Sequence, residues 1–211
     1  MASESRIRKV RVKLLNYTPR PDFTVAVAMR QSRFKGSVMN LDLTQKDVKH
    51  LIHLALKLGH YSVFEHISFT FAVEGISRSC SHQFVRHRFF AFTQQSQRFI
   101  KESDFPYIVP ETIKKDKETY KLFNEAMQYI SNTYKKLADK VPIEDARFIL
   151  PNATETKLVA TANARELMHF FHERMSKYAQ WEIRGVANLM FEEVKRVAPI
   201  TFNEEFVKYY E

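Results

Sequence analysis

Between Thr44 and Arg98 the spacing of apolar residues changes three times, from a helical period to strict alternation and then through the same pair again. That order limits the fold more than any bulk property, because a helix–strand–helix–strand run builds a layered domain of mixed class. Thr44 is placed to cap a helix whose apolar positions are Val48, Leu51, Ile52 and Ala55, with Gly59 just past its end. Residues 66–74, HISFTFAVE, alternate Ile67, Phe69, Phe71 and Val73 against smaller or polar neighbours and predict a strand broken by Gly75. Ser77 then caps a helix over 77–87 with Cys80, Phe84 and Val85 on its apolar side, and an extended segment over 90–98 follows.

The flanks extend this pattern. Residues 8–16 alternate charged and apolar side chains, as a half-exposed strand does, while 22–31 suit either a strand or a short helix. Pro106 and Pro110 mark a loop before a long amphipathic helix over 111–140. A short helix over 142–150, an extended segment over 154–162 and helices over 163–177 and 179–197 complete the chain, without repeats or linkers. The expectation is one domain over 1–211 of α/β class (α+β type), with a mixed or antiparallel sheet packed by helices rather than a doubly wound βαβ array.

Composition excludes several chemistries. Four glycines leave no room for a GxGxxG or GxxxxGK[ST] phosphate loop. The single cysteine, Cys80, excludes a disulfide framework and any multi-cysteine metal site, and its apolar helical register suits a small core residue. No HExxH accompanies the histidines, so no metal is expected. No secretory pattern opens the chain and no stretch approaches the roughly 20 apolar residues of a spanning helix, so a cytoplasmic protein without membrane contact is expected. The net charge of +9 suits an anionic partner: nucleic acid, a phosphate-bearing metabolite or an acidic surface.

Two stretches need such a partner. RHRFFAFTQQSQRF, 86–99, mixes guanidinium groups with phenylalanines. If 90–98 is extended, Gln94, Ser96 and Arg98 leave one face together with Phe90 and Phe92. That set has donors, acceptors and fixed charge but no titrating group, which suits binding of a phosphorylated, hydrogen-bonding ring. Ser96 has no neighbouring cue for an activating base and reads as a contact, not a nucleophile. A basic single-stranded nucleic-acid binder, stacking bases on Phe89, Phe90, Phe92 and Phe99, fits the same residues. In NARELMHFFHERMSK, 163–177, Leu167, Met168, Phe170 and Phe171 form the apolar arc, with Arg165, His169, His172 and the two glutamates opposite. Arg174 falls inside that arc, below Phe170 and Leu167, and must find a carboxylate or an anionic ligand or else snorkel to water.

Taken with its surroundings, RHR, then seven residues, then Ser (Arg86, His87, Arg88 and Ser96) resembles the signature of the flavin-dependent thymidylate synthases. GHYSVFEHISFTF (59–71), SHQFVRHR (81–88), ARFILP (146–151), NAREL (163–167) and AQWEIR (179–184) resemble further blocks of that family in the same order, covering most of 45–202. The resemblance implies the family's own α/β fold and an enzyme that makes dTMP from dUMP. It implies 5,10-methylenetetrahydrofolate as carbon donor, a bound FAD carrying hydride and NADPH reducing that flavin. It also implies a homotetramer with shared active sites and no nucleic-acid partner. By the same resemblance, His60, Ser62, Arg86, His87, Arg88, Gln94, Asn163, Ala164, Arg165 and His169 are FAD contacts. Gln83, Phe84, Val85, Arg86, Gln94, Gln95, Ser96, Gln97, Arg98, Arg147 and Arg174 are dUMP contacts, with Arg174 the catalytic cation beside the uracil ring. Ala91, Thr93, Gln94 and His169 stand where Ser, Asn, Glu and Asn are frequent in the family.

Overall fold

A computed structural model describes residues 6–203. The elements follow in the order β1 (Arg11–Tyr17), α1 (Pro21–Gln31), α2 (Gln45–Lys57), β2 (Ser68–Ser77), α3 (Arg78–Phe84), β3 (Ala91–Gln94), α4 (Glu111–Lys115), α5 (Lys117–Ala138), α6 (Ile143–Ala146), β4 (Glu155–Asn163), α7 (Ala164–Met175) and α8 (Trp181–Val197). Short 3-10 turns occupy Tyr61–His66 and Arg147–Ile149. The strands form one antiparallel sheet in the order β1–β2–β4–β3, the mixed α/β class expected.

Local chemistry sets the element ends. Thr44 and Asp47 form a reciprocal capping box at the start of α2. Ser77 accepts the Cys80 N–H at the start of α3, and Cys80 is 1% exposed, a core residue as its register suggested. Residues 22–31 resolve as helix, with Pro21 in the first turn of α1.

Three expectations need correction. Gly75 does not break the strand: β2 runs on to Ser77, with Gly75 at φ +69°. The helix expected over 111–140 is two helices, because Asp116 is extended and caps α5 by accepting the Thr119 N–H at 2.8 Å. The segment expected to be extended over 90–98 is a strand only to Gln94. Beyond it the Ser96 hydroxyl accepts the Arg98 N–H at 3.2 Å and the chain turns, so Gln94, Ser96 and Arg98 do not share a strand face.

The described residues divide into two compact units, 6–11, 73–86 and 93–158 in the first and 12–72, 87–92 and 159–203 in the second. In the first, Phe105, Tyr107, Val109 and Met127 are buried together, with Tyr120, Phe123 and Ile130 of α5 packed against them. The Tyr107 hydroxyl donates to Asn124 Oδ1 at 2.9 Å, so this deep ring keeps a partner for its polar end. In the second, Phe171 meets Phe191 and Phe202 edge to face, and Phe202 meets Phe69 the same way. Asp22 of α1 accepts from the Ile200 and Thr201 N–H groups at 3.0 and 2.9 Å, which anchors the segment after α8.

Candidate active site

Within the second unit the side chains of Glu166, Phe170 and Arg174 recur every fourth residue along α7 and so share one stripe. His87 lies against it. Its ring meets Phe170 edge-on at 4.9 Å and Phe90 at 6.3 Å, and it is only 6% exposed. Arg174 Nε–H donates to His87 Nε2 at 3.0 Å. Glu166 Oε1 stands 3.6 Å from His87 Nδ1. Here the structure corrects the helical reading, which put both glutamates of 163–177 on the polar face: Glu166 is 7% exposed. Arg174 is half-buried, and among the described residues no carboxylate lies within ion-pair distance of it. Its partner is an imidazole.

Burial, the Arg174 cation and His169 hold the His87 imidazole well below its ordinary 6.5, at about 4. It is therefore neutral near pH 7, which it must be to accept a hydrogen bond from a group that only donates. Burial pushes the Glu166 carboxyl up, with His169 opposing. Because unfolded His87 takes up a proton near 6.5 and the folded ring only near 4, the stability it confers is complete above 6.5 and falls as the pH drops towards 4. The stability difference between wild type and His87→Gln should therefore shrink by up to about 3 kcal/mol over that window. Urea unfolding of both proteins across the acid range measures it, and a constant difference would show that His87 does not titrate there.

The remaining flavin-set positions of this unit lie on α7 and its preceding residue and on the Tyr61–His66 turn and its preceding residue, apart from Arg88. The Ala164 N–H donates to the Ile67 carbonyl at 2.9 Å, tying the helix start to the residue after that turn. Asn163 caps α7, its Oδ1 accepting the Glu166 N–H at 2.9 Å, a bond that does not use its NH2 group. Arg165 pairs with Glu65. His169 and Ser62 are exposed and His60 is half-buried, while Ala164 is wholly buried and offers a ligand no side chain. Arg88 is exposed and has no ion pair among the described residues.

The first unit holds Arg86 and Gln94, the other two flavin-set positions, and every nucleotide-set position except Arg174. Arg98 Nε meets Glu144 Oε2 at 2.9 Å, and Arg147 Nε–H donates to the Glu144 carbonyl at 3.0 Å, so two guanidinium groups gather at one residue. Gln94 Nε2–H donates to Thr156 Oγ1 at 2.9 Å and the Gln95 N–H to the Lys157 carbonyl at 2.9 Å. Gln97 is 9% exposed, and its buried Nε2 has no hydrogen-bond partner, an omission that native interiors rarely leave unless a ligand or water completes it. Gln83 is half-buried, Phe84 wholly buried, and Val85 and Arg86 are exposed. Arg78, not singled out from the sequence, is half-buried within electrostatic reach of Arg147 and Glu102, and burial lowers its pKa. Its place one residue after the Ser77 cap, with the whole side chain still to be satisfied, was the available signal.

Of the rings in the base-stacking alternative, Phe89 and Phe99 are exposed but Phe90 is not available. Phe90 is 7% exposed, stacked on Phe92 at 5.4 Å and edge-on to Phe170, so its faces are taken by protein. Among the described residues no group of three or more His, Cys, Asp or Glu side chains is placed to hold a metal, and no helix is long and apolar enough to cross a membrane.

Residues 13–200 match the family described as thymidylate synthase complementing protein. Among curated relatives, the flavin-dependent thymidylate synthase of Clostridium tetani is 45% identical over 92% of this chain and 85% of its own. That of Pyrococcus furiosus is 44% identical over 89% and 80%. Among solved structures, the UMP/dUMP methylase PolB from Streptomyces cacaoi bound with 5-Br dUMP superposes with a TM-score of 0.82 at 26% identity, over 92% of this chain and 93% of that one. A match along nearly the whole chain, in sequence and in fold, places this protein in the flavin-dependent thymidylate synthase family.

Proposed function

We propose that this chain is a flavin-dependent thymidylate synthase that methylates dUMP reductively to dTMP. In the balanced reaction, dUMP, 5,10-methylenetetrahydrofolate, NADPH and a proton give dTMP, tetrahydrofolate and NADP+. The observation that carries the reading is the Arg174 guanidinium, half-buried on α7 and held by a neutral imidazole instead of a carboxylate. Its charge is thus left for a ligand. A cation fixed beside the uracil ring favours loss of the N3 proton, and that ionisation pushes electron density towards C5, where the carbon–carbon bond forms. No exposed thiol competes for that role, since Cys80 is buried.

The nucleotide phosphate suits Arg98 and Arg147, whose planar forks match phosphate oxygens, and the unsatisfied Gln97 amide suits an acceptor on the nucleotide. FAD fits the second unit in donor chemistry: Arg88, Arg165 and the NH2 of Asn163 suit a pyrophosphate, and His60, Ser62 and His169 suit ring and ribose edges. Arg86 and Gln94, in the first unit, carry donors of the same kind. When bound, the flavin supplies the hydride that turns the transferred carbon into a methyl group. Phe89, Phe99, Phe148 and Tyr178 are 78–87% exposed, which supports a homotetramer in which other copies cover them. We place the enzyme in the cytoplasm with other steps of nucleotide synthesis.

The purified protein should be yellow, bleach with NADPH, and release tritium from C5 of labelled dUMP only when the folate is also present. Protein that neither carries nor takes up FAD would overturn the reading.

A further inference from the structure

The flavin- and nucleotide-contact sets leave out Glu166, yet it is among the most buried carboxylates described. Arginine has only donors, so the bond from Arg174 Nε to His87 Nε2 puts the lone pair on Nε2 and the ring proton of the neutral imidazole on Nδ1. Nδ1 is the atom that faces Glu166 Oε1. At 3.6 Å this is longer than a hydrogen bond, but a carboxylate that close in a buried setting favours a proton at that nitrogen. Phe170 packs against the ring in a T-shaped contact at 4.9 Å. The His169 ring also stands against His87, at 5.7 Å.

We propose that Glu166 and His87 are positioning residues for Arg174: the carboxylate sets the imidazole tautomer, and the imidazole fixes the plane of the guanidinium. The inference rests on the reading that Arg174 acts at the pyrimidine. A carboxylate placed directly on Arg174 would orient it as well, but would also neutralise it. One ring of separation gives orientation while the cation keeps its charge for the developing anion. The arrangement is the counterpart of an outer carboxylate that orients a metal-ligating histidine, with a guanidinium in place of the metal.

Turnover of the FAD-loaded enzyme tests this by tritium release from C5 of dUMP. Glu166→Ala and Glu166→Gln should each lower kcat about 10- to 100-fold, with KM for dUMP and flavin absorbance within about twofold of wild type. His87→Gln can place an amide oxygen where Nε2 accepts, and should retain several times the kcat of His87→Ala. Wild-type kcat in a folded Glu166 variant, a loss confined to KM, or equal losses in the two His87 variants would overturn the proposal. Nitrogen NMR of histidine-labelled protein tests it without turnover. His87 should be neutral with its proton on Nδ1 at neutral pH, and should become a mixture of tautomers in Glu166→Ala. A cationic ring, or a tautomer indifferent to Glu166, would overturn it. A wild-type holoenzyme that releases no tritium would instead sink the synthase reading.

Discussion

Arg174→Ala is expected to lower tritium release from dUMP by about 10²–10³-fold while the protein stays folded and yellow. That loss corresponds to about 3–4 kcal/mol of transition-state stabilisation, the usual value of one well-placed electrostatic group in a dry site. The effect should fall on kcat as well as kcat/KM, because the charge is needed most when the ring becomes anionic. Arg174→Lys should recover little. It keeps a charge but loses the planar Nε–H that His87 accepts, so the cation is no longer aimed. Stability should fall by about 1–2 kcal/mol in Arg174→Ala, since there is no ion pair to lose but the buried His87 Nε2 is left without its donor. Wild-type turnover in Arg174→Ala, or loss of the flavin with the activity, would show that the residue was misassigned.

Gly75→Ala is expected to be the most damaging small substitution in the fold. A Cβ there would stand 1.9 Å from the Lys9 carbonyl oxygen and 2.6 Å from its carbon, backbone atoms that cannot swing away. The residue also sits at φ +69°, which disfavours any side chain by about 1–2 kcal/mol before the collision is counted. The Gly75 N–H donates to Glu155 Oε1 at 3.1 Å, so moving the strand to relieve the clash strips a buried carboxylate of a partner. A total of about 4 kcal/mol or more follows, a large fraction of the stability of an ordinary domain. Gly59→Ala is the control. It has the same φ, but its nearest neighbour is a Tyr61 side-chain atom at 3.8 Å, so only the backbone penalty remains. Urea unfolding should separate the two variants widely, and similar midpoints would refute the close-approach argument.

What was readable in the sequence was what local chemistry decides. Thr44 and Asp47 announce α2, Ser77 announces α3, and the alternation in 66–74 announces β2, because capping and pleat depend on residues a few positions apart. The signature around Arg86–Arg88 also led to the family directly. What escaped depends on partners distant in the chain. Gly75 looked like a strand breaker because the carbonyl that requires it belongs to Lys9. Glu166 was placed with the polar residues on account of its charge, although four-residue spacing put it in line with Phe170, and only His87, 79 positions away, explains its burial. Ser96 and Arg98 kept the strand alternation on paper, yet a serine hydroxyl next to free backbone N–H groups competes for them and bends the chain.

The amide at Asn163 divides between its two ends: its oxygen is spent on starting a helix, and its nitrogen takes no part in that cap. Exchange of that one nitrogen for oxygen, as in aspartate, would leave the helix start intact while turning a hydrogen-bond giver into a taker. Architecture and ligand chemistry are thus separable at a single atom, so a change of diet for this surface need not disturb the scaffold that carries it.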